Sequence, residues 1–131
     1  MLFRSETLKM VLHSCQYLES VMIWCCDDYL SEKDIFRVFV TYSPKNFHEL
    51  KLHYYPDVES ELLPEELESF LASWADRVPL KSLSLITIRN DSDTLDKIDE
   101  NMKIIEKYIR LGIIKGFKTI AHYLYDFSFD E

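Results

Sequence analysis

Four histidines and three cysteines are the residues of this 131-residue chain best suited to making and breaking bonds. Their spacing decides what chemistry is open to them. His13, His48, His53 and His122 are scattered, as are Cys15, Cys25 and Cys26. Nucleophilic catalysis needs a thiol and a base within hydrogen-bond reach, oriented by a third group. The one pairing on offer is Cys25 with His53, should their strands adjoin. Alternation along a strand turns Cys25 toward the core and argues against it. Two adjacent cysteines in an odd set suit neither a disulfide nor a metal clamp, because neighbouring side chains leave a strand on opposite sides. The thiols read as reduced, half-buried groups of an intracellular protein.

The carboxylates offer no stronger case for catalysis. Glu65-Glu66 and Asp99-Glu100 fall at helix starts, where the helix dipole favours negative charge. Asp27-Asp28, then Asp57 with Glu59 and Glu61, then Asp91 with Asp93 fall in loops. Their spacing matches no calcium loop. They read as a solvated rim that steers basic partners. Gly112 and Gly116 are the only glycines, too few for a phosphate-cradling loop or a dinucleotide fingerprint. The chain is therefore expected to be non-enzymatic, with no cofactor and no metal.

Composition limits the partners. The chain is 47% hydrophobic and 29% charged, which is globular, and its formal net charge is −8. An acidic surface repels phosphate backbones and anionic membranes, so neither nucleic acid nor membrane is an expected partner. The start, MLFRSETLKM, carries Arg4 and Glu6 and no apolar run, unlike a signal peptide. Localisation is expected to be intracellular, in cytoplasm or nucleus.

The elements that must position these residues recur. Leu18-x-x-Val21-x-Ile23, Phe47-x-x-Leu50-x-Leu52, Leu80-x-x-Leu83-x-Leu85 and the degraded Ile114-x-x-Phe117-x-Thr119 share one spacing. Each follows a segment with helical periodicity. Those segments carry Leu8, Val11, Leu12 and Cys15; Ile35, Phe36, Phe39 and Val40; Leu67, Phe70, Leu71 and Trp74; and Met102, Ile105, Tyr108 and Ile109. Ser31 is placed to cap the second helix, Pro64 to open the third, Asp99 to open the fourth and Gly112 to end it. The first two copies align without a gap, Val11–Ile23 on Val40–Leu52. The unit is one helix plus one short strand, repeated four times.

This is the plan of a short α/β leucine-rich-repeat solenoid, with a parallel sheet on the concave side and helices on the convex side. The repeats fall at approximately 5–26, 27–57, 58–90 and 91–120 of a single domain. A cap follows over 121–131, where Tyr123, Tyr125, Phe127 and Phe129 alternate. A compact α/β domain with the same element order is the rival arrangement.

Three strings, KMVLHSCQYLES, LLPEELESFLASWADRVPLKSLSL and DENMKIIEKYIRLGIIKGFK, closely resemble the C-terminal leucine-rich-repeat segments of the F-box/LRR-like families expanded in arbuscular mycorrhizal fungi. The resemblance covers most of residues 2–120. It implies repeats that choose the substrate of a cullin-type ubiquitin ligase. In such families an F-box docks on a Skp1-type adaptor. None precedes the first repeat here, so adaptor docking is not expected of this chain.

The residues between the inward code positions face the concave surface. They are Ser20, Met22 and Trp24; Glu49, Lys51 and His53; Ser82, Ser84 and Ile86; and Gly116, Lys118 and Ile120. Stacking the strands predicts a largely apolar row of Trp24, His53, Ile86 and Ile120. It also predicts a mixed row of Met22, Lys51, Ser84 and Lys118. A tryptophan beside aliphatic side chains on an outward face is the pattern of a protein-binding hot spot. The expected function is non-catalytic recognition of an unknown protein partner, which the resemblance implies is a ubiquitin-ligase substrate. The alternative is a self-assembling, homodimeric repeat protein whose apolar ends or tail meet a second copy.

Overall fold

The hydrophobic periodicity changes repeatedly between helix and strand, and the computed structural model follows it. It describes residues 5–25, 30–56, 58–90 and 93–121. Residues 122–131 of the expected cap, His122 among them, and Cys26, Asp27, Asp28, Asp57 and Asp91 lie outside those residues. The order is α1 (Ser5–Ser14), β1 (Ser20–Cys25), α2 (Glu32–Tyr42), β2 (Glu49–Tyr54), α3 (Pro64–Ala75), β3 (Leu83–Arg89), a short 3₁₀ turn (Leu95–Lys97), α4 (Asp99–Arg110) and β4 (Ile114–Ala121).

Local chemistry sets the helix ends. Ser31 Oγ accepts from the Asp34 N–H at 3.2 Å and starts α2. At its other end the Ser43 N–H returns to the Phe39 carbonyl at 3.1 Å, and Pro44 follows. Pro64 opens α3, where its missing N–H costs nothing. The Glu66 carboxylate reaches back to the Leu63 N–H at 3.0 Å. Helix α4 ends in a Schellman turn. Gly112 N–H bonds to Ile109 O and Ile113 N–H to Tyr108 O, both at 3.0 Å. Gly112 sits at φ +78°, a left-handed conformation that glycine adopts without steric cost.

The four strands form one parallel sheet in the order β1-β2-β3-β4. The helices touch in the same order, α1 on α2, α2 on α3, α3 on α4. They therefore share one face of the sheet. The inward side chains Ile23, Leu50, Leu52, Leu83, Leu85 and Ile114 merge with Leu8, Leu12, Phe36, Phe39, Leu67, Leu71, Trp74 and Ile105 in one buried cluster. Each buried aliphatic side chain contributes about 2 kcal/mol of transfer free energy. Three residues of the expected helix stripes fall off it, the half-buried Val11 among them. Cys15 lies past the end of α1 and is exposed, and Ile109 is on the outer side of α4.

Polar staples join the second helix–strand unit to the third and the third to the fourth. The buried Glu32 carboxylate, in the first turn of α2, accepts from the Tyr54 hydroxyl at 2.5 Å, Ser60 Oγ at 2.6 Å and the Glu61 N–H at 2.9 Å. Asn101, fully buried, donates to Leu62 O at 3.3 Å and Leu95 O at 2.9 Å. Arg77, beyond α3, donates to Ser43 Oγ at 2.5 Å, Ser43 O at 2.8 Å and Pro44 O at 3.2 Å. Its guanidinium lies 4.3 Å from the Trp74 ring centre. That cation neutralises the carbonyl end of α2.

Candidate functional site

Because side chains alternate along a strand, the faces of the sheet are chemically distinct. One carries the helices and the apolar core. Among the described residues no helix packs on the other. That free face presents Ser20, Met22 and Trp24 from β1; Glu49, Lys51 and His53 from β2; Ser84, Ile86 and Ile88 from β3; and Gly116, Lys118 and Ile120 from β4.

The strand register sorts these into rows and corrects the expected ones. Met22 pairs with Lys51, Lys51 with Ile86, and Ile86 with Lys118. Trp24 pairs with His53, His53 with Ile88, and Ile88 with Ile120. Ser84 stands between Glu49 and Gly116 instead of in the mixed row, and Ile86 takes the place expected for Ser84. The third copy is displaced by two residues. The structural equivalents of Val21 and Leu50 in β3 and β4 are Leu85 and Phe117. A shift of two preserves which face a side chain takes, so every expected site residue remains on the free face. Ile88 belongs to that face and was missed, because the Leu-x-x-Leu-x-Leu spacing at Leu80 suggested an earlier start. The alignment of the first two copies is borne out, since Val21 pairs with Leu50 and Ile23 with Leu52.

The two rows differ in depth. Trp24 stacks on the His53 imidazole, centroids 3.6 Å apart and planes at 16°. Tyr55 lies 4.8 Å from Trp24. His53 is only 2% exposed and Ile88 fully buried. His53 is thus a buried platform for Trp24, where a presented polar group was expected. Ile88 is buried outside the main core cluster. Met22, Lys51 and Ile86 are half-buried and Lys118 is exposed. Lys51 Nζ lies 3.7 Å from Glu49 Oε1, which also accepts from Ser20 Oγ at 2.6 Å.

The catalytic pairing is not assembled. Cys25 is buried in the core cluster, while His53 points to the opposite face against Trp24. Among the described residues no group of three or more His, Cys, Asp or Glu side chains is placed to hold a metal ion. No described helix is long and apolar enough to cross a membrane.

A groove of about 450 Å³ also opens on the helix side, over Phe36, Val40, Leu62 and Phe70 between α2 and α3. Both of its cations are paired, Lys33 with Glu66 at 3.4 Å and Arg37 with Asp34 at 2.6 Å. Glu65, Ser69 and Ser73 complete the polar lining of this seam between two packed helices. Comparison of the chain with protein-family models, curated proteins and solved structures finds no match.

Proposed function

We propose that the chain is a non-catalytic protein-recognition module that binds its partner on the free face of the sheet. One observation carries this reading. Four strands in sequence order present a half-buried aromatic and aliphatic patch of Met22, Trp24, Ile86 and Ile120, with Lys51 and Lys118 beside it. A rigid parallel sheet holds these side chains in place at little further entropic cost on binding, and large apolar groups supply most of an interface's energy. Stacking on His53 holds the Trp24 indole in one orientation, so less is lost when a partner covers it.

The finer architecture belongs to the same proposal. Helices and strands that contact in chain order are consistent with a short leucine-rich-repeat solenoid, each unit resting on its neighbours. The resemblance to F-box/LRR-like repeats makes a ubiquitin-ligase substrate the first class of partner to seek.

The test is affinity capture from source cells, comparing the wild type with Ile86→Asp and Lys118→Glu. Far-ultraviolet circular dichroism verifies that both variants fold. Proteins retained by the wild type and lost from both variants are the expected result. Identical catches from all three proteins would exclude recognition through this face.

A further inference from the structure

The connections that lead from each helix into the next strand, residues 15–19, 43–48, 76–82 and 111–113, all lie within the described residues. A parallel sheet with its helices on one face returns every such connection to the same end. Hydrogen bonds stitch these turns together. The His48 N–H donates to Glu19 O at 2.9 Å, Arg77 to Pro44 O at 3.2 Å, and the Leu83 N–H to Ile113 O at 2.9 Å. The end they form is apolar at its tips. Among the described residues, the large hydrophobic side chains left exposed are Met10, Leu63 and six at this end: Tyr17, Tyr42, Val78, Leu80, Ile109 and Leu111. Val78 is 96% exposed. The same end is basic. Lys45, Lys81, Arg110 and Lys115 are exposed there and pair with no carboxylate among the described residues. Its acids are Asp76 and Glu19, the latter 3.5 Å from His48. Carboxylates gather at the opposite end. There the first turns of the four helices hold seven of them, Glu65-Glu66 and Asp99-Glu100 included, against a single cation, Lys33.

We infer that this end docks on an anionic lipid membrane, with Val78, Leu80 and Leu111 entering the headgroup layer and Lys45, Lys81 and Arg110 meeting its charges. The apolar groups stand on separate turn tips and line no hollow shared with a partner. A protein covering them would need a matching pit for each, whereas a fluid lipid surface accepts protrusions as they come. Apolar side chains flanked by cations are the combination that an interface of apolar tails and anionic headgroups rewards. Net charge alone speaks against such a surface, but the distribution of charge speaks for it. Strands of six to eight residues set the two ends about 20 Å apart. The Debye length is about 8 Å at physiological ionic strength. A membrane at the basic end therefore feels the near cations, while the acidic end lies more than two screening lengths away. The same asymmetry turns the molecule end-on to the surface. The free face of the sheet then stands upright and open, so this inference is independent of the recognition reading.

The probe is a vesicle of phosphatidylserine and phosphatidylcholine, mixed with the full chain and sedimented, with phosphatidylcholine vesicles as the control. The expected result is binding to the anionic vesicles that weakens in high salt, and little binding to the control. Lys81→Gln should bind about fivefold more weakly, the loss of one cation at the surface. Val78→Ser should bind about tenfold more weakly, the loss of two inserted methyl groups. Both side chains are exposed, so both variants should fold, and circular dichroism verifies it. A spin-labelled lipid then locates the contact in the isotopically labelled chain. It should broaden the amide signals of Tyr17, Lys45, Val78 to Lys81 and Leu111, and spare Leu63 and Glu65. Absence of binding to the anionic vesicles, full binding by both variants, or broadening centred on Leu63 and Glu65 would overturn the inference. So would vesicles left unbound while an acidic protein, or a second copy of the chain, is held through Val78 and Lys81.

Discussion

Glu32 shows how a single side chain joins two units. Its carboxylate is 3% exposed, and three donors from β2 and the following loop converge on it. A buried carboxylate is tolerated only when so supplied, and the position inside the first turn of α2 adds the helix dipole. Glu32→Ala strands the Ser60 and Glu61 donors and removes an acceptor from Tyr54. We expect a loss of about 3 kcal/mol in urea unfolding. Glu32→Gln, which keeps one acceptor oxygen, should lose about half as much. Tyr108 supplies a pH-dependent counterpart. Burial, and then the hydrogen bond to the Glu68 carboxylate, push its phenol up to about 12. In the unfolded chain the phenol ionises near 10. Stability from this group is therefore whole below pH 10 and is lost as pH rises toward about 12. Glu68 moves the other way, held below its ordinary value by hydrogen bonds from Lys107 and Tyr108. Its contribution is present above pH 4.5 and fades as acid protonates the folded carboxylate. Alkaline denaturation of Tyr108→Phe, followed by tryptophan fluorescence, should lack the decline between pH 10 and 12 that the wild type shows.

At the scale of elements, the ends of helices and the direction of side chains were legible in the sequence, and the register of the third strand was not. Ser31, Pro64 and Gly112 each act through their own backbone neighbours, so residue type and order sufficed. Gly112 gives a direct check. No atom lies within 4 Å of where a Cβ would stand, so only its φ of +78° opposes substitution. Gly112→Ala should cost about 1–2 kcal/mol in chemical unfolding, and Gly112→Asn less. The alternation that sent Lys51 and Lys118 to the free face is likewise local. Register is a tertiary quantity. Apolar residues at Leu80, Leu83 and Leu85 mimicked the repeat code, yet Leu80 is 43% exposed in the turn before β3. Pairing instead sets Leu50 beside Leu85, which returns the Trp24 row to Ile88. Nor did the sequence disclose Asn101 as a staple, since its bonds to Leu62 and Leu95 exist only once two loops meet.

Across the whole molecule, cohesion runs from neighbour to neighbour. Strands β2 and β3 are hydrogen-bonded on both edges, whereas β1 and β4 have one described strand partner each. The ladder residues of β2 are mostly buried, while most of β4 is half-buried or exposed. The Thr87–Thr119 hydroxyl contact at 3.0 Å and the packing of α4 on β4 tie the last unit in place. When each unit draws stability mainly from those beside it, opening begins at the ends and the middle opens last. Native-state hydrogen exchange should therefore report the highest opening free energies at Leu50, Leu52 and Leu85, near the global value. Opening should be easier at Val21 and Phe117. Equal protection across all four strands would mean that the sheet opens as one cooperative body, without neighbour-by-neighbour stability. The same gradient bears on recognition. The Met22–Lys51–Ile86–Lys118 row crosses every strand, so a ligand that spans it binds the paired sheet and not the opened ends. Such a ligand should raise protection most in β1 and β4, where opening is cheapest without it. A ligand confined to the β2–β3 centre would leave those outer amides unchanged, and the two patterns are separable in one exchange experiment.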